Sequence, residues 1–214
     1  MLLDNIKIAK KNIESNCSND VTLIAATKTV PSEIINTLPS LGITIAGENR
    51  VQELLSKYDD VKGISWHFIG RLQRNKVKYI VDKVDMIHSV DSVALADEIN
   101  KQCAKIGRIM PVLVEINMGE QAKGGVSIDE VIALADYVDS LPFLQLKGVM
   151  CVLPIAADEQ MYQSVYEIFD KLKHKYNHAN VLSMGMSGDY ITAVKHGANM
   201  VRLGSCLFGQ RIYK

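Results

Sequence analysis

At 214 residues, with 48% hydrophobic and 22% charged side chains, the chain has enough apolar mass for one sizeable α/β domain and is expected to hold no second large one. Its 24 Lys and Arg balance its 24 Asp and Glu, so no global field draws it to nucleic acid or to an anionic membrane. Four widely spaced cysteines, with no CxxC pair and no histidine cluster at metal-ligand spacing, speak against a disulfide scaffold or a metal site and predict reduced, mostly buried thiols.

The start, MLLDNIKIAKKNIESN, interrupts every apolar run with charge and so lacks the core of a signal peptide. No run approaches the roughly 18 apolar residues of a membrane span, and the cytoplasm is the expected compartment. Leu2, Ile6, Ala9 and Ile13 share one helical face, which predicts an extra N-terminal helix lying over the bottom of the fold. Short β-branched runs follow at VTLIAA (21–26), ITIAG (43–47), SWHFIG (65–70), DMIHSV (85–90), PVLVEIN (111–117), LQLKGVM (144–150), NVLSMG (180–185) and ANMVRLG (198–204). They are near-continuously apolar, the pattern of parallel strands covered on both faces.

Helical spacing fills the intervals. Ala96, Ile99, Cys103 and Ile106 form one stripe; Ile128, Val131, Leu134, Ala135 and Val138 a second; Met161, Val165, Ile168 and Leu172 a third. Pro31 marks a first turn, Ser127-Ile128-Asp129-Glu130 fits a capping box, and Gly107 stands where a helix would end in a left-handed residue. Eight strands alternating with helices make either a doubly wound sheet or a closed barrel. The count of eight favours a single-domain (β/α)8 TIM barrel over residues 1–214, with its extra N-terminal helix.

In such a barrel the site forms where the strands end, because the βα loops converge there. The unusual residues follow that rule: Lys28 after the first run, Glu48-Asn49-Arg50 after the second, Gly70, Ser89, Asn117 and Met150-Cys151 after the next four, Ser187-Gly188 after the seventh and Gly204-Ser205 after the eighth. Ser187-Gly188 opens a helix and Gly204-Ser205 permits close backbone approach, so both could meet an anion, although plain turns use the same pairs. A lysine ending an apolar strand is ordinarily a solvated group; in a barrel mouth, partly desolvated, an amine of this kind is a better nucleophile toward an aldehyde. His67 and His88 lie inside apolar runs and read as hydrogen-bonded structural histidines. The basic stretch from Arg71 to Lys78 lacks interleaved aromatics and reads as a solvated helix face.

The segments ATKTV (26–30), IAGENRVQEL (45–54), WHFIGRLQRNK (66–76), IHSVD (87–91), VLVEIN (112–117), KGVMCV (147–152), LSMGMSGDY (182–190) and VRLGSCLFGQR (201–211) run in order over nearly the whole chain. They closely resemble the pyridoxal 5′-phosphate (PLP) homeostasis protein family, whose bacterial members are called YggS-like. The resemblance implies a barrel like the N-terminal domain of alanine racemase, with PLP held as a Schiff base on Lys28. It puts phosphate contacts on Ser187 and on the backbone of Gly204 and Ser205, sets Arg202 at the pyridine nitrogen, and lines the pocket with Asn49 and Met186. A guanidinium only donates and stays protonated, so a pyridine nitrogen bonded to it remains an unprotonated acceptor and the ring a weaker electron sink. Lys123, in a segment resembling the family's fifth loop, receives no role, and Glu48 and Arg50 read as pocket-edge groups that orient neighbouring loops.

The function implied by the resemblance is a non-catalytic PLP carrier that serves vitamin B6 homeostasis and touches PLP-dependent apo-enzymes transiently; a monomer is expected, because the second domain that makes the usual racemase dimer contacts is expected to be absent. The chain stops at Lys214, ten residues past Gly204, and the β domain that racemases and decarboxylases of this barrel type add is expected to be missing. The alternative is a slow PLP-dependent amino-acid racemase of the fold type III class, with Lys28 as one base and His67, His88 or Tyr190 as the second acid. A third reading, a nucleic-acid or protein-binding module on residues 71–78, predicts salt-dependent binding and conflicts with the zero net charge.

Overall fold

A computed structural model describes residues 1–17, 19–119 and 124–209. Among them eight parallel strands pair in sequence order: β1 (Thr22–Ala26), β2 (Ile45–Glu48), β3 (Ser65–Phe68), β4 (Met86–Val90), β5 (Met110–Ile116), β6 (Leu144–Cys151), β7 (Val181–Met184) and β8 (Met200–Leu203). β8 then pairs with β1, with Ile24 opposite Arg202, which closes a barrel and removes the doubly wound alternative. The observed strand ends lie within two residues of the apolar runs, because a strand buried on both faces must be apolar along its whole length.

The helices are α1 (Leu2–Asn16), α2 (Ser32–Ile35), α3 (Val51–Tyr58), α4 (Val93–Ile106), α5 (Val131–Asp139), α6 (Glu159–Lys175), α7 (Tyr190–Lys195) and α8 (Ser205–Phe208). Trp66, Phe68, Ile87, Val112, Val114, Val149, Leu182 and Leu203 belong to one continuous core cluster with the buried faces of these helices. Met86, Leu113 and Met150 form a separate cluster, and strand alternation assigns it to the barrel lumen.

Ser92 caps α4 through Leu95 N–H, and Gly107 ends it in the left-handed conformation. Ala96, Ile99 and Cys103 are buried as expected, but Ile106 lies half exposed in the last turn. In α6 the buried face is Tyr162, Val165, Phe169 and Leu172, so Met161 and Ile168 flank the stripe instead of centring it. Ser127 and Glu130 form the expected capping box ahead of α5. Residues 74–79 form a 3-10 helix with only Val77 buried, the solvated face expected of the basic stretch. α1 departs from expectation: it packs against α7 and α8, Asn5 donating to the Leu207 carbonyl and Asn12 to Tyr190 Oη, each at 2.8 Å. It therefore flanks the barrel as an added member of the helical ring. Cys103 and Cys151 are buried, Cys17 and Cys206 half-buried, and no disulfide joins them.

Candidate functional site

At the C-terminal ends of β1, β2, β7 and β8 a cavity of about 570 Å³ is lined by Lys28, Asn49, Met186, Ser187, Arg202, Gly204 and Ser205, together with Ala26, Ile69, Val152 and Gly188. All seven residues expected at the cofactor are therefore on one wall system. Two of the lining side chains are cationic and none of the described ones is a carboxylate, so the cavity suits an anion. Asn49, Met186 and Ser205 are exposed and Lys28 half-buried, which opens the cavity to solvent on their side.

Lys28 stands at the corner of a tight turn closed by Val30 N–H donating to the Thr27 carbonyl at 2.9 Å. The next residue, Thr29, has φ 64°, an uncommon conformation for a β-branched side chain. Across the mouth, the loop after β7 is locked by Asp189: its carboxylate accepts from Met186 N–H at 2.6 Å and from Tyr162 Oη at 3.2 Å. Burial and this carboxylate push the Tyr162 phenol up to about 12. The loop presents Ser187, whose Oγ accepts the backbone N–H groups of Gly204 at 3.0 Å and Cys206 at 3.2 Å. With its oxygen so engaged, the hydroxyl keeps its proton to donate to an acceptor. Gly70, after β3, lets the neighbouring loop approach: a Cβ there would lie 2.3 Å from the Asn49 carbonyl oxygen.

Arg202 reaches the cavity floor from β8 although it is only 3% exposed. Its Nη1 donates to Ser183 O at 2.8 Å and Ser183 Oγ at 2.6 Å, and its Nη2 donates to the Cys151 carbonyl at 2.8 Å. Burial pulls the guanidinium below its ordinary value. Behind it runs a buried chain: Ser183 Oγ lies 3.2 Å from His88 Nδ1, and His88 Nε2 lies 3.0 Å from His67 Nδ1. Arginine can only donate, so Ser183 Oγ accepts at this end. The chain closes in two orders, with Ser183 donating to His88 Nδ1 and His88 Nε2–H to His67 Nδ1, or with His67 Nδ1–H donating to His88 Nε2 and His88 Nδ1–H to Ser183, and in each order either ring carries a single proton. Both histidines must be neutral for this, and burial holds His67 down to about 4 and His88 well below its ordinary range. The structural reading of both histidines is thus met.

None of the three acids considered for a racemase is among the residues lining the cavity. His67 and His88 lie beneath it, and Tyr190 is buried with its hydroxyl turned to α1. Glu48 and Arg50 do not line it either: Glu48 is fully buried below the Lys28 turn and Arg50 is the exposed N-cap position of α3. Asn117 holds its own loop, its Oδ1 accepting from Gly119 N–H at 2.9 Å, and Lys123 lies outside the described residues. Among the described residues no group of three or more His, Cys, Asp or Glu could hold a metal, and no helix is long and apolar enough to cross a membrane.

Several residues escaped the sequence reading. Ser183 sits within an apolar strand and carries no signal of its own. Glu115 is a luminal carboxyl whose Oε2 meets no hydrogen-bond partner among the described residues, pushed up to about 7 by burial and by Asp91, against the opposing charges of Arg202 and Arg71. Its only trace in the sequence is a charge inside the run PVLVEIN.

A family model described as alanine racemase, N-terminal domain, matches residues 2–212. The chain is 43% identical to the pyridoxal phosphate homeostasis protein of Aquifex aeolicus over 92% of its own length and 89% of that protein's. Its fold superposes on PipY of Synechococcus elongatus, solved with PLP bound, with a TM-score of 0.86 at 28% identity, covering 98% of this chain and all of that one (100%). Alanine racemase of Clostridium difficile shares the fold, with a TM-score of 0.76 at 17% identity; 97% of this chain matches 60% of the racemase.

Proposed function

This chain belongs to the alanine racemase N-terminal domain family, and we propose that it is a PLP carrier, holding the cofactor as a Schiff base on Lys28 and serving PLP homeostasis without turning over amino acids. One observation carries the reading: an amine, a guanidinium and a hydroxyl with a proton to donate line one cavity free of described carboxylates. That donor set fits an aldehyde-bearing aromatic phosphate. The Aquifex relative is named for PLP homeostasis and the PipY structure contains PLP, which supports the same ligand here.

In this reading PLP, when bound, supplies an aldehyde for a lysine and a pyridine ring that can accept electron density. Lys28 provides the amine. Ser187 and the backbone of Gly204 and Ser205 hold the phosphate, and Asn49 and Met186 border the ring. Arg202, oriented by three bonds to Ser183 and Cys151, faces the pyridine nitrogen and keeps it an acceptor, because a guanidinium has no lone pair to take its proton. Carbanion chemistry is disfavoured by that arrangement, while capture and release of the aldehyde are not. The open side of the cavity at Asn49, Met186 and Ser205 suits exchange with apo-enzymes in transient contact, by a monomer in the cytoplasm.

The test is borohydride reduction of the PLP-loaded protein followed by peptide mapping, with Lys28→Ala beside the wild type. The pyridoxyl label is expected on Lys28 and absent from a folded Lys28→Ala variant. A label on another residue overturns the assignment. Amino-acid racemisation above that of free PLP, lost in Lys28→Ala, overturns the carrier reading.

A further inference from the structure

We infer that the Glu53–Lys57 pair of α3 is a positioning device for Lys28, fixing the two peptide groups that flank it; the inference rests on Lys28 being the point of PLP attachment. The carbonyl of the peptide before Lys28, Thr27 O, accepts from Lys57 Nζ at 2.8 Å. The N–H of the peptide after it, on Thr29, donates to Glu53 Oε1. Lys57 Nζ and Glu53 Oε1 are themselves 2.7 Å apart, one helical turn from each other. Both backbone planes on either side of the reactive lysine are thus held by one joined pair of side chains.

The rest of the cluster makes the hold specific. Lys57 Nζ also donates to Glu48 Oε1 at 2.7 Å, and the same oxygen accepts from Thr27 Oγ1 at 2.8 Å. An ammonium has three protons, and here each meets a separate acceptor: Thr27 O, Glu48 and Glu53. Lys57 is 8% exposed and Glu48 not at all. Burying a lysine between two carboxylates is a poor route to stability, since desolvation offsets most of the attraction. Its visible product is geometric: Thr29 is kept at φ 64°, a conformation its β-branched side chain does not favour. With both flanking planes held, the Cα–Cβ direction of Lys28 is set before any ligand arrives. α3 starts two residues after Asn49, so the helix that clamps Lys28 follows directly on a residue of the cavity wall.

Capture exchanges the aldehyde C=O for a C=N bond to the lysine nitrogen and releases one water, so its rate and equilibrium depend on where that nitrogen stands. Loss of either clamp residue frees one flanking peptide and misplaces the amine, while the phosphate cradle on the β7 and β8 loops is untouched.

The test compares two ligands on the full-length protein: PLP, and 4′-deoxypyridoxine 5′-phosphate, which has the ring and phosphate but no aldehyde. Lys57→Met and Glu53→Ala are expected to slow Schiff-base formation, followed by its absorption band, by about tenfold or more, and to leave binding of the deoxy analogue unchanged. Glu53→Gln, whose amide oxygen can still accept from Thr29 and Lys57, is expected to stay near wild type. Glu53 is only half-buried, so its variants report even if Lys57→Met does not fold. Unchanged PLP capture in folded Glu53→Ala, or equal loss of both ligands, overturns the inference. A wild-type pyridoxyl label on a residue other than Lys28 refutes the underlying assignment, and is read without any α3 variant.

Discussion

Replacing His67 by Asn tests the buried chain behind Arg202 through its response to pH. Asn offers both an oxygen and an N–H where His67 Nδ1 meets His88 Nε2, so the hydrogen bond can persist in either direction while the titrating ring is removed. His67 has an ordinary value of 6.5 and is held at about 4 by burial, with Asp85 opposing weakly. A folded value below the unfolded one means that its share of stability is complete above 6.5 and is lost as pH falls toward 4. Linkage over that window removes about 2 kcal/mol between roughly pH 8 and pH 5, since the unfolded ring is then protonated and the folded one is not. The wild-type curve alone will hide this. Glu115, pushed up to about 7, has the opposite sign: its folded carboxyl keeps a proton that the unfolded one releases, so it adds stability as pH falls from 7 toward 4.5. The measurement is therefore a difference, urea unfolding of wild type and His67→Asn at both pH values, in which Glu115 cancels. Wild type is expected to lose about 2 kcal/mol relative to the variant on acidification. A difference that does not change with pH would show that His67 titrates normally and that the neutral chain to Arg202 is wrong.

Two further substitutions probe the cavity itself. Ser187→Ala removes the hydroxyl that accepts from Gly204 and Cys206; PLP affinity in equilibrium dialysis is expected to fall by about tenfold or more, and affinity for unphosphorylated pyridoxal much less, since a hydrogen bond to a charged group is worth about 1.5–3 kcal/mol. Equal losses for the two ligands would remove Ser187 from the phosphate contacts. Gly70→Ala sets a Cβ 2.3 Å from the Asn49 carbonyl, and thermal unfolding should report a loss of about 1–3 kcal/mol from the forced backbone shift, with weaker PLP capture as Asn49 moves.

The strands were legible because each is covered on both faces, so burial wrote itself into the sequence as runs such as PVLVEIN and LQLKGVM. The cavity residues were legible for a topological reason. Once eight parallel strands close, their C-terminal ends share one face, and Lys28, Asn49, Ser187 and Gly204 could be assigned to it from position alone. Lys57 shows where this reading stops. Glu53 and Lys57 at i and i+4 look like a solvated surface pair, and neither position says that Thr27 and Glu48 stand above them. Likewise His67, Ser183 and Arg202 are single polar residues on three strands up to 135 positions apart, and only the closed barrel joins them into one chain of donors and acceptors. α1 was recognisable as an amphipathic helix, but its partner was not, since a stripe of Ile6, Ala9 and Ile13 fits any apolar surface. Periodicity and strand-end chemistry are local properties, and the sequence by itself determined them. Which buried charge meets which acceptor depends on register and closure, and only the tertiary structure decides that.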